Sequence, residues 1–384
     1  MSHSSNNLAR RVGGLSHRWL PFADAATVDL TLPRLWRLSL FQLSTGMAIV
    51  LLTGTLNRVM VVELGQGTSL VSLMLAIPLL LAPARALIGY RSDHHRSYLG
   101  WRRIPYLWSG TLMQFGGLAF MPFALILMIE PHSGPPIIGP IAAMGSFLLT
   151  GLGMHVSQTA GLALATDLAT EESRPRVVAL LYLMLLVGMI SSAVIFAALL
   201  DDFSYVRLIQ VIQSAAVITL ILNVAAMWKQ EVRHPELTDH ERERPTFGSA
   251  WGEFINLPKA RRLLWALGLG TMGFTMQDIL LEPYGAHVLG LSVSETTLLT
   301  ALFAGGMVLA LLMTSRTLRR GVDPIRLASV GVLIGIVAFV AVILSAPLQS
   351  TGLFQIGATL IGVGNGLFAV GMLTAAMVFG GAKM

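Results

Sequence analysis

The stretch TMQDILLEP, residues 275–283, places Asp278 and Glu282 four residues apart. On a helix that spacing stacks two carboxylates on one face. They close an apolar run that begins near Leu263, and a buried acid pair in such a run first suggests a proton site. A second constellation is His155, Gln158 and Thr159, spaced i, i+3 and i+4 and so on one helical face. A neutral imidazole can ligate a metal. The plainer alternative is a histidine hydrogen-bonded to a neighbouring helix. No catalytic grouping accompanies these residues. There is no GxxxxGK[ST] loop, no HExxH, and no Ser/His/Asp set with informative spacing, so no enzyme is expected. GVGNG (362–366) is glycine-rich but lies inside an apolar run, which does not suit phosphate. The chain has no cysteine, which excludes disulfides, thiolate catalysis and Cys-ligated metals.

The elements that carry these residues are set by composition. The chain is 54% hydrophobic and 12% charged, against about 25% charged in a typical soluble domain, and its mean hydropathy is +0.70. This is the balance of a membrane protein. The sequence pI near 10.0 then reflects cationic cytoplasmic loops rather than affinity for nucleic acid. The first 30 residues are polar and lack a signal-peptide core, so insertion is expected through the chain's own spans. Ten segments have the length of a transmembrane helix: 37–62, 69–90, 105–129, 138–166, 177–199, 207–228, 263–283, 294–315, 325–346 and 353–380. The runs are too long for barrel strands and lack alternation, so the fold class is an all-α polytopic helical bundle.

Basic residues cluster in alternate loops. All of the 26 Lys and Arg except Arg58, Arg85 and Arg207 fall in the N-terminal tail, after spans two, four, six and eight, or after span ten. Both termini are therefore expected in the cytoplasm. The expected divisions are a tail (1–36), a six-helix bundle (37–228), a charged cytoplasmic linker (229–262) and a four-helix bundle (263–384). The linker is expected to be a solvated surface, with contact to anionic membrane lipids as a lesser role. A weak repeat supports two halves: Thr55-Leu56-Asn57-Arg58 in span one matches Thr275-Met276-Gln277-Asp278 in span seven.

Helical rise fixes the expected depths. From a start near Leu263, Asp278 lies roughly 22 Å and Glu282 roughly 28 Å across a core of about 30 Å. From a start near Leu38, Arg58 lies roughly 30 Å across, at the same end. The acids are thus expected towards the periplasmic edge rather than at the midplane, which weakens a proton-coupled carrier.

The loop GYRSDHHRSYLGWRR (89–103) resembles the signature loop of the major facilitator superfamily, with Gly89, Asp93, Arg102 and Arg103 as its marked positions. Gly89 allows close backbone approach, Asp93 can cap a helix or pair with a cation, and both arginines are expected at the lipid headgroups. DLATEESRPR (167–176) resembles the corresponding loop after span four. LPFADAA (20–26), residues 37–64, RALIGYRSDHHRSYLGWRRIPYLW (85–108) and QDILLEPYGAHVLGLSVSETT (277–297) look like the PucC/LhaA family, a branch of that superfamily found in phototrophic bacteria.

That resemblance implies a major-facilitator-like bundle and an assembly factor for light-harvesting complexes. Its implied partners are the antenna α/β polypeptides, its implied cofactor is bacteriochlorophyll or a precursor, and its implied location is the bacterial inner, intracytoplasmic photosynthetic membrane. The superfamily has twelve spans and this sequence shows ten, so the last two are expected to be missing. The fold puts spans one, four, seven and ten around a central cavity. His155, Gln158, Thr159 and Asn365 are then candidate pigment contacts, with His155 the candidate axial ligand of the chlorin magnesium. The fold also brings spans one and seven together, which implies a latch of Arg58 with Asp278 or Glu282, flanked by Asn57 and Gln277. Two other functions stay open: a secondary transporter of a small molecule, and a purely structural partner without pigment exchange. The glycines of span ten read as helix-packing positions ahead of flat grooves for a macrocycle.

Overall fold

The computed structural model describes residues 30–129, 134–232, 235–238 and 246–381, and among them it forms helices and no strand. The LPFADAA stretch, Arg10, Arg11, Arg18, Arg233, Arg242, Arg244 and Lys383 lie outside the described residues.

Ten long helices follow the apolar runs: α1 Leu32–Glu63, α2 Thr68–Asp93, α3 Ile104–Ile129, α4 Ile138–Leu168, α5 Arg174–Leu199 and α6 Tyr205–Met227, then α7 Pro258–Leu289, α8 Val293–Arg319, α9 Pro324–Ser345 and α10 Thr351–Gly381. Nine of these, among the described residues, are long and apolar enough to cross a membrane. Only α7 falls short: its 32 residues suffice in length, but Gly268, Gly270, Gly273, Gln277 and Asp278 dilute its apolar run.

The sequence places span seven at 263–283, whereas α7 is longer at both ends. Pro258 at the first turn suits a helix start, because its missing N–H has no partner to lose there. Pro283 does not end the helix, which continues to Leu289 and closes on left-handed Gly290 (φ 67°). Asp278 and Glu282 therefore lie well inside the helix, not at its end.

Within α2, Pro83 has no N–H to give the Leu79 carbonyl. The chain tightens there instead, with Ala82 N donating to Leu79 O at 3.0 Å. In α1, residues Val50–Leu56 and Val59–Glu63 are π-helical. This wider turn often marks functional sites.

In the first half, α6 packs against both α1 and α3, and α4 packs on α3. In the second half, α10 packs on α8, α9 and α7. The halves meet where α5 lies on α8 and the π-helical part of α1 lies on α7 and α8. One apolar core runs through this junction, from Met47, Val50 and Met189 to Phe303 and Met307. Glycine permits the closest approaches: a Cβ on Gly46 would stand 2.3 Å from the Leu185 carbonyl oxygen, and one on Gly362 2.0 Å from that of Phe303.

Within the linker, Phe247–Ile255 forms a short helix. Phe247 stacks at 6.0 Å on Trp251 and meets Tyr90 of α2 edge-on at 5.5 Å.

Candidate functional site

The seam between α1, α7 and α8 gathers most of the polar residues picked out in span one and span seven. Asn57 Nδ2 crosses it to donate to the carbonyls of Asp278 (3.2 Å) and Ile279 (3.0 Å). The hydroxyls of Thr55 and Thr297 meet at 3.4 Å. Thr300 Oγ1 donates to Glu282 Oε1 at 2.6 Å, and Gln277 Nε2 donates to the Asp278 carboxylate.

Arg58 does not take the partner expected for it. It pairs with Glu63 of its own helix, and Nη2 donates to the Leu291 carbonyl at 3.1 Å. The halves are thus tied by hydrogen bonds to backbone carbonyls, not by an Arg–carboxylate bridge. The physical reason is proximity. Glu63 follows Arg58 by five residues on the π-helical turn, so a near partner neutralises the guanidinium before α7 is reached.

His155, Gln158 and Thr159 do share a face, directed at α1 and α2. His155 Nε2 lies 2.9 Å from the Pro78 carbonyl, next to the break in α2. Gln158 Nε2 donates to Gln42 Oε1 at 3.4 Å. Thr159 Oγ1 donates to the His155 carbonyl at 2.7 Å and accepts from Arg85 Nε at 3.2 Å. The other imidazole nitrogen, Nδ1, is enclosed and unpartnered. Neither nitrogen presents an open lone pair to a macrocycle's metal, so the residues here do not fit an axial ligand site. Asn365 is half-buried on α10, in the other half. Among the described residues, no three His, Asp or Glu side chains gather as a metal site.

The signature loop is a built network. Arg103 is only 4% exposed, so it does not lie at the headgroups as expected. It pairs with Asp93, and it donates from Nε to Asp167 Oδ2 at 3.1 Å and from Nη1 to Ser92 Oγ at 2.7 Å. Arg102 reaches the same Asp167 carboxylate at 3.5 Å. Gly89 has room beside Thr159, and its carbonyl accepts from Ser92 Oγ at 2.9 Å. Glu231, just past α6, accepts from the backbone N–H groups of Arg102 (2.8 Å), Arg103 (3.0 Å) and Ile104 (2.8 Å). A carboxylate there satisfies otherwise orphaned donors at the start of α3. Sequence reading passed over Glu231 as linker charge, since nothing in a sequence signals a cap 127 residues away.

One apolar cavity of about 630 Å³ lies outside these networks. It is a groove between α7 and α9, with Gly273, Phe274 and Tyr284 on one wall and Gly335, Phe339 and Ile343 on the other. No charged residue lines it, and Gln277 is its most polar side chain. Leu280, Ile336 and Ile343 at its rim are exposed, so it opens on the outer surface of the bundle. The corresponding helices of the first half, α1 and α3, hold α6 between them.

Six helices, a linker, then four helices joined through α5 and α8 make this a multi-pass membrane protein with the major facilitator fold. The nucleoside transporter NupG superposes with a TM-score of 0.62, over 88% of this chain and 81% of that chain, at 13% sequence identity. Within that fold the chain belongs to the PUCC protein family, whose pattern matches residues 55–383. Protein PucC of Rhodovulum sulfidophilum is 52% identical over 383 residues, covering 98% of this chain and 84% of that protein. Protein PucC of Rhodobacter capsulatus is 50% identical over 382 residues, covering 97% and 81%.

Proposed function

We propose that this chain is a membrane assembly factor for bacterial light-harvesting complexes, holding bacteriochlorophyll or a precursor, antenna α/β polypeptides, or both. Membership of the PUCC family supports the photosynthetic setting. The observation that carries the reading is the family match across residues 55–383, with relatives 50–52% identical over nearly the whole chain.

His155 is a structural residue in this reading, bonded to the Pro78 carbonyl. In this reading the protein sits in the intracytoplasmic photosynthetic membrane with both termini in the cytoplasm, an orientation that the distribution of basic residues supports. A secondary transporter is the competing reading, and its support is the shared fold alone.

The test is gentle purification of the full chain from membranes of a phototrophic bacterium. The expected result is a chlorin absorption band and co-purifying antenna polypeptides. A colourless preparation that brings down neither and takes up a solute overturns the proposal.

A further inference from the structure

We infer that Asp278 and Glu282 form the walls of a sodium site at the junction of the two halves, in the small pocket between α1, α5, α7 and α8. The pocket is lined by Thr53 of α1, Met189 of α5, Gln277, Asp278, Leu281 and Glu282 of α7, and Thr300 and Phe303 of α8. Its volume of about 20 Å³ holds a single water-sized occupant.

Glu282 is the key side chain. It is 4% exposed, so it is buried, yet only one of its oxygens is used. Oε1 accepts from Thr300 Oγ1, while Oε2 has no partner. An unsatisfied carboxylate oxygen in a buried site is costly. The nearest cation that could relieve it, Arg58, is not a lining residue and is already engaged by Glu63 and the Leu291 carbonyl.

The donor set narrows the occupant. All five polar lining side chains offer oxygen: the two carboxylates, the hydroxyls of Thr53 and Thr300, and the Gln277 amide. Thr53 Oγ1 spends its proton on the Ile49 carbonyl at 3.0 Å, and Thr300 spends its own on Glu282, so both hydroxyl oxygens keep lone pairs. An all-oxygen set suits a hard cation. Magnesium keeps several waters, for which there is no room. One oxygen of each carboxylate already accepts a hydrogen bond, which leaves five of the lining side-chain oxygens, fewer than the about 6–8 that calcium takes. A small monovalent ion meets both limits. Its ligands come from helices of both halves, so the ion would hold α7 and α8 against α1.

The test is thermal unfolding of the full chain in detergent, at constant ionic strength and pH, in sodium, potassium, calcium or choline chloride. Sodium is expected to raise Tm by roughly 2–4 °C over choline, with potassium and calcium giving no comparable rise. Glu282→Gln and the milder Asp278→Asn are each expected to abolish the sodium increment; the second keeps the inference testable if the first misfolds. Equal Tm values in all four salts overturn it. So does stabilisation by calcium alone, or a Tm that follows pH with no response to sodium, which would mean that the free oxygen carries a proton.

Discussion

Arg103, just before α3, joins two other parts of the first half at one side chain: the end of α2 through Asp93 and Ser92, and the end of α4 through Asp167. Removing its guanidinium leaves those acceptors without their donor. Arg103→Leu is expected to cost about 2 kcal/mol, read as a lower unfolding midpoint in detergent, and Arg103→Lys to recover only part of it because an ammonium lacks the planar fork. An unchanged midpoint in the leucine variant would show that the network carries no stability. At the seam, Asn57→Leu removes two hydrogen bonds to α7 backbone carbonyls. It is expected to cost about 1 kcal/mol and to leave the Arg58–Glu63 pair in place. Asp93, Arg103, Asn57 and Glu282 were all legible as residues of interest, because charge or amide inside or beside an apolar run is costly and so conspicuous. Their partners were not. The Arg58–Glu63 pair depends on the wide turns of α1, and the carbonyls that Asn57 meets carry no signal in the side-chain sequence.

At the scale of the helices, the apolar runs set the number and order of the elements, since every backbone group in a membrane must be bonded within its own segment. Bounds were less legible. Proline reads as a stop, yet Pro283 is carried inside α7, where Asn57 of α1 donates to the Ile279 carbonyl that the proline leaves free. That extension moves the two acids from a helix end to its interior and makes their burial a packing matter. The break in α2 shows the opposite outcome. Pro83 tightens the turn before it, and His155 binds the Pro78 carbonyl beside the break. His155→Leu is therefore expected to lower thermal stability by about 1 kcal/mol while leaving the position of any co-purified chlorin band unshifted. A shifted or lost band with unchanged stability would restore the ligand role that the residue type suggested.

For the whole molecule, the two halves differ in one respect. In the first half α6 fills the space between α1 and α3, whereas between α7 and α9 there is a groove. No sequence pattern announced it, because a groove is the absence of a neighbour, and its lining reads as ordinary lipid-facing residues. Of the polar residues that pointed to a central cavity, His155, Gln158 and Thr159 are spent on α1 and α2 within the first half, while Asn57 ties the halves together.

The central claim, that the chain holds pigment or antenna polypeptides in the membrane, is tested most directly by gentle purification of the wild-type chain. The measurement is the chlorin absorbance and antenna polypeptide recovered per mole of purified chain. The expected result is a chlorin band with co-purifying antenna polypeptides. Recovery of neither pigment nor polypeptide would contradict the account.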